Sequence, residues 1–363
     1  MLRKHAQAVF YLILAIPALL LGGLLIVSLR DLYELHRIDP AAMLQDFRDA
    51  VPRRQPLSFP LPDELYERDP SRKTVFAFGA SSLLLSDGDL AFPEYLERRA
   101  PSLRVVNFGV SGIDSLAVRQ RVREALAVDR PDIIVLYFGH NDYNVHYHLY
   151  IIPKYLQKFD GLLRLPYLFY NAERPVAHFA DGAFYSYARL HRPQLYQAFQ
   201  NLGLFRLDPE AFAPINDLIL KTFKENTEAI LGMAASQKVP VVLITPVGNL
   251  HAEPYGDIRT TTAYYRKGMG SADYAESLSY LKQARDAEIT TYDLRAKSPL
   301  IDYLRTVRRP NVYVLDLEKR LEEMRFGFGS EDFVDYFHFN DRSHRLVADI
   351  IYDFLRQNHL VRK

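Results

Sequence analysis

The chain has 363 residues, enough for one large or two ordinary domains with a substantial core. Its 45 basic and 44 acidic residues leave a net charge of +1, which gives no electrostatic footprint for nucleic acid as a partner. It contains no cysteine, which excludes disulfides, thiolate catalysis and cysteine-ligated zinc.

The first element in the chain is apolar. Val9 to Leu29 reads VFYLILAIPALLLGGLLIVSL without one charge, long enough to cross a bilayer. Arg3, Lys4 and His5 precede it; Arg30, Asp31, Glu34 and Arg37 follow and nearly cancel. The positive-inside rule then puts the N-terminus in the cytoplasm and the body outside the membrane, in a periplasmic or extracellular location. A cleaved signal peptide competes with this reading, but its apolar core is normally shorter and ends in an Ala-x-Ala-like site, and none follows Leu29. Residues 1–29 are therefore expected to form a cytoplasmic tip and a single-pass anchor. Residues 30–70 are polar and contain Pro40, Pro52, Pro56, Pro60 and Pro62, which reads as a stalk with a short helix near Met43 to Ala50.

From Thr74 onward short apolar runs alternate with longer mixed segments. The runs are TVFAF (74–78), RVVNF (104–108), DIIVLYF (132–138), VPVVLIT (239–245) and NVYVLDL (311–317). Each is continuous rather than alternating, as expected of strands buried on both faces. Helix-like segments such as 116–128 and 225–238 lie between them. This alternation predicts an α/β domain over 71–363 with a mainly five-stranded parallel sheet between layers of helices. Residues 143–200 are dense in aromatics and too long for an ordinary loop, so a helical, aromatic-rich insertion is expected over about 143–215.

Ligands of such sheets bind beyond the carboxyl ends of the strands. Gly79-Ala80-Ser81-Ser82 follows the first run, and Gly109, Ser111 and Gly112 follow the second. Gly139-His140-Asn141-Asp142 follows the third, and Asp335-x-x-His338 lies some way after the last. The chemistry is coherent. Ser81 would attack a carbonyl, His338 would take its proton, and Asp335 would hold the imidazole in the required tautomer. The N–H groups of Ser81 and Gly112 and the amide of Asn141 are candidate oxyanion donors. His140 and Tyr143 are candidate substrate-binding residues. Ser82 and Ser111 compete as nucleophiles, but Ser82 points elsewhere in an extended turn and Gly-x-Ser-Gly lacks a spacer of the nucleophile elbow.

In FGASS, VSGIDS, GHND and DYFHFN the chain resembles the SGNH hydrolases, also called the GDSL esterase family, from residue 74 to its end. The resemblance implies a flavodoxin-like three-layer fold. It also implies a triad of Ser81, Asp335 and His338, and an oxyanion hole of Ser81, Gly112 and Asn141. The family's acidic residue before the serine is Ala80 here, and its Gly-His after the catalytic histidine is Ser343-His344. The implied activity is acyl-ester hydrolysis, with an O-acetylated carbohydrate of the cell envelope or an exopolysaccharide as the expected substrate. An O-acyltransferase of the same fold, a lipid esterase or lysophospholipase, and a catalytically silent glycan-binding module are the alternatives.

Asp335, His338, Asp341 and His344 recur every three residues, and His140, Asp142, His146 and His148 cluster after the third run. These are zinc-ligand types, but a strict three-residue spacing does not bring four side chains to one point of a helix. No metal and no cofactor is expected.

Overall fold

The computed structural model describes residues 45, 48–50, 58–67, 69–146, 209–254, 258–288 and 295–361. The expected transmembrane segment, and the aromatic insertion between residues 147 and 208, lie outside them. Among the described residues no helix is long and apolar enough to cross a membrane. The chain divides into two compact units, Met1–Ala50 with His148–Arg206, and Val51–Tyr147 with Leu207–Lys363. In the first, residues 45 and 48–50 are helical, and Gln45 Nε2 donates to Asp49 Oδ1 at 3.1 Å. The second holds the sheet.

Its strands are β1 (Lys73–Gly79), β2 (Leu103–Asn107), β3 (Ile133–Tyr137), β4 (Val241–Ile244) and β5 (Val312–Leu315). All pair in parallel, in the order β2-β1-β3-β4-β5. This is the doubly wound order of flavodoxin-like sheets, and each strand overlaps one of the five apolar runs. Central β1 is buried at every residue after Lys73, which is why its sequence does not alternate. Val75 sits opposite Val105 of β2 and Ile133 of β3.

The helices are α1 (Phe92–Arg99), α2 (Ser115–Val128), α3 (His140–His146), α4 (Pro209–Ser236), α5 (Ala263–Gly270), α6 (Tyr274–Asp286), α7 (Ser298–Thr306), α8 (Leu317–Glu323) and α9 (Asp341–Gln357). On one face of the sheet Val75, Ala77, Val135 and Tyr137 share a core with Phe92 and Leu96 of α1 and Val347 and Ile351 of α9. On the other face Phe78 stacks on Phe108 at 4.4 Å, and Phe138 meets Phe223 of α4 at 5.2 Å. Neighbouring residues of one strand thus serve opposite layers. Residues 58–67, read as part of the stalk, lie on this body. Leu65 is buried, and Arg121 of α2 donates to the carbonyls of Phe59 and Pro60 at 3.3 Å.

Candidate active site

The site begins where β1 ends. A Cβ on Gly79 would stand 2.2 Å from the carbonyl oxygen of Tyr137, so only glycine lets β1 lie this close to β3. The chain leaves the strand through extended Ala80 and enters one 3₁₀ turn, Ser81–Leu83. The N–H groups of Leu84 and Leu85 both donate to the Ser81 carbonyl at 2.8 Å and lock the turn. Ser81 heads it, and Ser82 is buried beside it.

The acid and the base come from a single loop ahead of α9. Val334 N–H donates to the His338 carbonyl at 2.9 Å, and Asn340 N–H donates to the Asp332 carbonyl at 3.1 Å. The Phe333 and Phe339 rings stack at 4.9 Å behind these bonds. Asn340 caps α9 by accepting from Ser343 N–H at 3.0 Å. The loop presents Asp335 and His338 together.

Asp335 Oδ2 lies 2.6 Å from His338 Nδ1, and Ser81 Oγ lies 2.7 Å from His338 Nε2. An ionised carboxylate only accepts, so Nδ1 carries the proton and Nε2 is left to accept the serine hydroxyl. Asp335 Oδ1 accepts from the N–H groups of Phe337 at 3.0 Å and His338 at 2.8 Å. Burial raises the Asp335 carboxyl, but the His338 hydrogen bond, its charge and the two backbone donors outweigh that, and the net shift is downward. The acid is therefore ionised where the base works. Its side chain is 42% exposed, against 9% for His338.

The oxyanion candidates sit at the same carboxyl edge, after β2 and β3. Gly112 has φ +74°, a left-handed conformation that glycine adopts without strain. Asn141 is buried in the first turn of α3, and its Nδ2 donates to the Ile113 carbonyl at 3.0 Å. That bond uses one of the two amide hydrogens and fixes the amide beside the Gly112 loop. Asp142 accepts from Ser115 N–H at 3.3 Å and Ser115 Oγ at 2.5 Å, and Asn226 Nδ2 donates to that hydroxyl at 2.9 Å. This buried network ties the starts of α2 and α3 to α4, so the two loops bearing Gly112 and Asn141 are held in register.

His140 and Tyr143 are both buried. His140 Nδ1 accepts from Ala296 N–H at 3.3 Å, and burial, reinforced by the neighbouring His338, holds its pKa down to about 3. Tyr143 lies beneath Lys297, whose Nζ is 5.3 Å from the ring centre.

Zinc-type residues among the described ones have protein partners, and His148 lies outside them. His344 Nδ1 accepts from Phe92 N–H at 3.1 Å, and its Nε2 donates to the Leu85 carbonyl at 3.0 Å. Asp341 accepts from Tyr95 and Arg345, and His146 Nδ1 donates to the Asp142 carbonyl at 2.6 Å. Among the described residues no three His, Cys, Asp or Glu side chains converge as metal ligands.

Sequence reasoning overlooked the end of β4. Asn249, in TPVGN after the fourth apolar run, is buried and bonded to the loop that carries Asp335. The rule applied to the other strands, that polar residues just beyond a strand end gather at the site, would have found it.

No protein-family model matches the chain, and no curated protein matches it. Solved structures do. A lipase/acylhydrolase from Enterococcus faecalis is similar at 16% identity, covering 79% of this chain and 96% of that one, with a TM-score of 0.37. A putative lipolytic protein of the G-D-S-L family from Desulfitobacterium hafniense is similar at 12% identity, over 78% and 100%, with a TM-score of 0.40. An acetylxylan esterase from Geobacillus stearothermophilus is similar at 14% identity, over 81% and 98%, with a TM-score of 0.38.

Proposed function

We propose that the chain is a serine-dependent acyl-ester hydrolase. One observation carries the reading: a continuous relay runs from Ser81 Oγ through His338 to Asp335, with links of 2.7 and 2.6 Å. His338 Nε2 takes the serine proton as Oγ adds to the ester carbonyl. The oxyanion is met by the N–H groups of Ser81 and Gly112 and the free hydrogen of the Asn141 amide. His338 then returns the proton to the departing alcohol, leaving an acyl-serine. Water, deprotonated by the same imidazole, releases the acid and restores Ser81.

The substrate we infer is an O-acetyl group on a carbohydrate of the cell envelope or an exopolysaccharide. The sequence supports this in two ways. An apolar span at Val9 to Leu29 would tether the body on the outer side of a membrane. Tyr, His and Arg interleave across residues 143–200, a composition suited to sugar rings and hydroxyls.

The test uses the detergent-solubilised full chain, a fluorophosphonate label and p-nitrophenyl acetate. Wild type should label at Ser81 and hydrolyse the ester, and Ser81→Ala should lose both while keeping its fold. Labelling that persists on Ser82 or Ser111 in the variant would refute the assignment. Release of acetate from an acetylated polysaccharide, compared with long-chain esters, tests the substrate.

A further inference from the structure

We propose that Asn249 is a positioning residue for the triad acid, holding the successive carbonyls of Asp335 and Tyr336 from the end of β4. The proposal rests on the serine-esterase reading of the site. Asn249 Nδ2 donates to the Asp335 carbonyl at 3.0 Å, and Asn249 N–H donates to the Tyr336 carbonyl at 2.9 Å. Two successive carbonyls of the catalytic loop thus end on one buried residue. The first bond fixes the peptide plane that follows Asp335, and with it the direction in which the carboxylate leaves the chain. The Asp335 side chain is 42% exposed, so burial alone does not seat it and the backbone anchor bears on its placement.

Asn249 is itself held. Its Oδ1 accepts from Ala252 N–H at 2.9 Å, and Val247 N–H donates to the Tyr137 hydroxyl at 3.2 Å, tying the loop to β3. Arg295 donates to the Asn249 carbonyl and, at 3.4 Å, to that of Ala252. The Arg295 guanidinium is buried and meets the buried Glu288 carboxylate through two bonds, at 3.2 and 2.5 Å. A Cβ on Gly248 would lie 3.1 Å from Arg295 Cδ and 3.3 Å from the Tyr336 carbonyl oxygen, so the loop is pressed between the two. A buried ion pair is costly to assemble and rigid once satisfied. Here it ends on the carbonyl of the residue that holds the acid.

A plain turn-former would also satisfy Ala252 N–H, so the test must separate the two roles. Asn249→Asp keeps the shape and the acceptor for Ala252 but loses the N–H donor to Asp335. Asn249→Ala loses both. Each is made in wild type and in an Asp335→Asn background and measured at pH 8 by ester hydrolysis and by the rate of fluorophosphonate labelling. A misplaced catalytic group costs on the order of 10²-fold, so each variant should lower kcat about 10- to 100-fold with KM unchanged. In the Asp335→Asn background the same changes should cost under about 3-fold, because the group they position is already disabled. Equal fold-losses in both backgrounds, or an undiminished kcat, overturn the proposal. Should Asn249→Ala fail to fold, Asn249→Asp decides; failure of both assigns the side chain to the scaffold and also overturns it. A wild-type chain that takes no fluorophosphonate overturns the esterase reading itself, a result distinct from these.

Discussion

The Phe337 ring lies flat on His140, with centroids 4.8 Å apart and planes 12° from parallel, and it also meets the His338 imidazole at 4.4 Å. A second histidine therefore stands one ring behind the base. Burial keeps it uncharged. His140 therefore adds no positive charge of its own beside the His338 imidazole.

That neutrality has a consequence for acid stability. An unfolded histidine titrates near 6.5, whereas folded His140 is held down to about 3. Between these values the unfolded chain binds a proton that the folded chain does not. Stability is therefore full above about pH 6.5 and is lost as pH falls toward 3, by up to ~5 kcal/mol. His344, also lowered by burial, acts in the same direction. His140→Phe keeps an aromatic ring in the stack but strands the Ala296 N–H, costing about 1–3 kcal/mol at pH 7. Its Tm should fall less steeply than that of wild type between pH 7 and 4. Parallel Tm curves would show that His140 is not the group being titrated.

Asp335→Asn should leave the fold intact and reduce kcat on the order of 10⁴-fold, the scale set by triads whose acid is made neutral. The new amide can donate to His338 Nδ1, which moves the ring proton to Nε2, where it cannot accept from Ser81. The comparison is steady-state hydrolysis, with circular dichroism as the control for folding. A loss below about tenfold would mean that the carboxylate does not set the tautomer.

Asn141→Ala removes the proposed oxyanion donor and its bond to the Ile113 carbonyl. We expect kcat to drop about 10²–10³-fold with KM little changed, since the lost interaction strengthens only as the oxyanion forms. A change confined to KM would show that the amide holds ground-state substrate instead.

Two glycines should respond to alanine for different reasons. Gly79→Ala drives a methyl to 2.2 Å from a β3 carbonyl, so the central strands must part directly below Ser81. Gly112→Ala meets nothing within 4 Å and suffers only from its φ of +74°, a cost of roughly 1–2 kcal/mol. Thermal denaturation should rank Gly79→Ala well below Gly112→Ala, with activity lost in the former. The reverse ranking would contradict the close approach of β1 to β3.

The strands were legible because burial on both faces leaves continuous apolar runs, and the triad candidates because they follow those runs at the carboxyl edge. Asn249 escaped notice for a physical reason. An asparagine after glycine reads as a turn, and its partners are backbone carbonyls of a loop some ninety residues on, which have no sequence signature. Arg295 and Glu288 likewise look like surface charges until folding buries them against each other. Gly79 reads as ordinary turn punctuation. The reason for it appears only with the pairing of β1 and β3, which brings the Tyr137 carbonyl to its Cα.

Ser81 lies in the turn that follows β1, whereas Asp335 and His338 arrive far later in the chain, on a loop just ahead of α9. A ribosome making this chain therefore lays down Ser81 long before the imidazole that meets it. The loop leads straight into α9, which His344 joins to the Leu85 carbonyl and the Phe92 N–H. On the proposed reading, the nascent polypeptide stays silent toward acyl groups until that loop has been made, and its reactivity begins as a single event rather than growing with the chain.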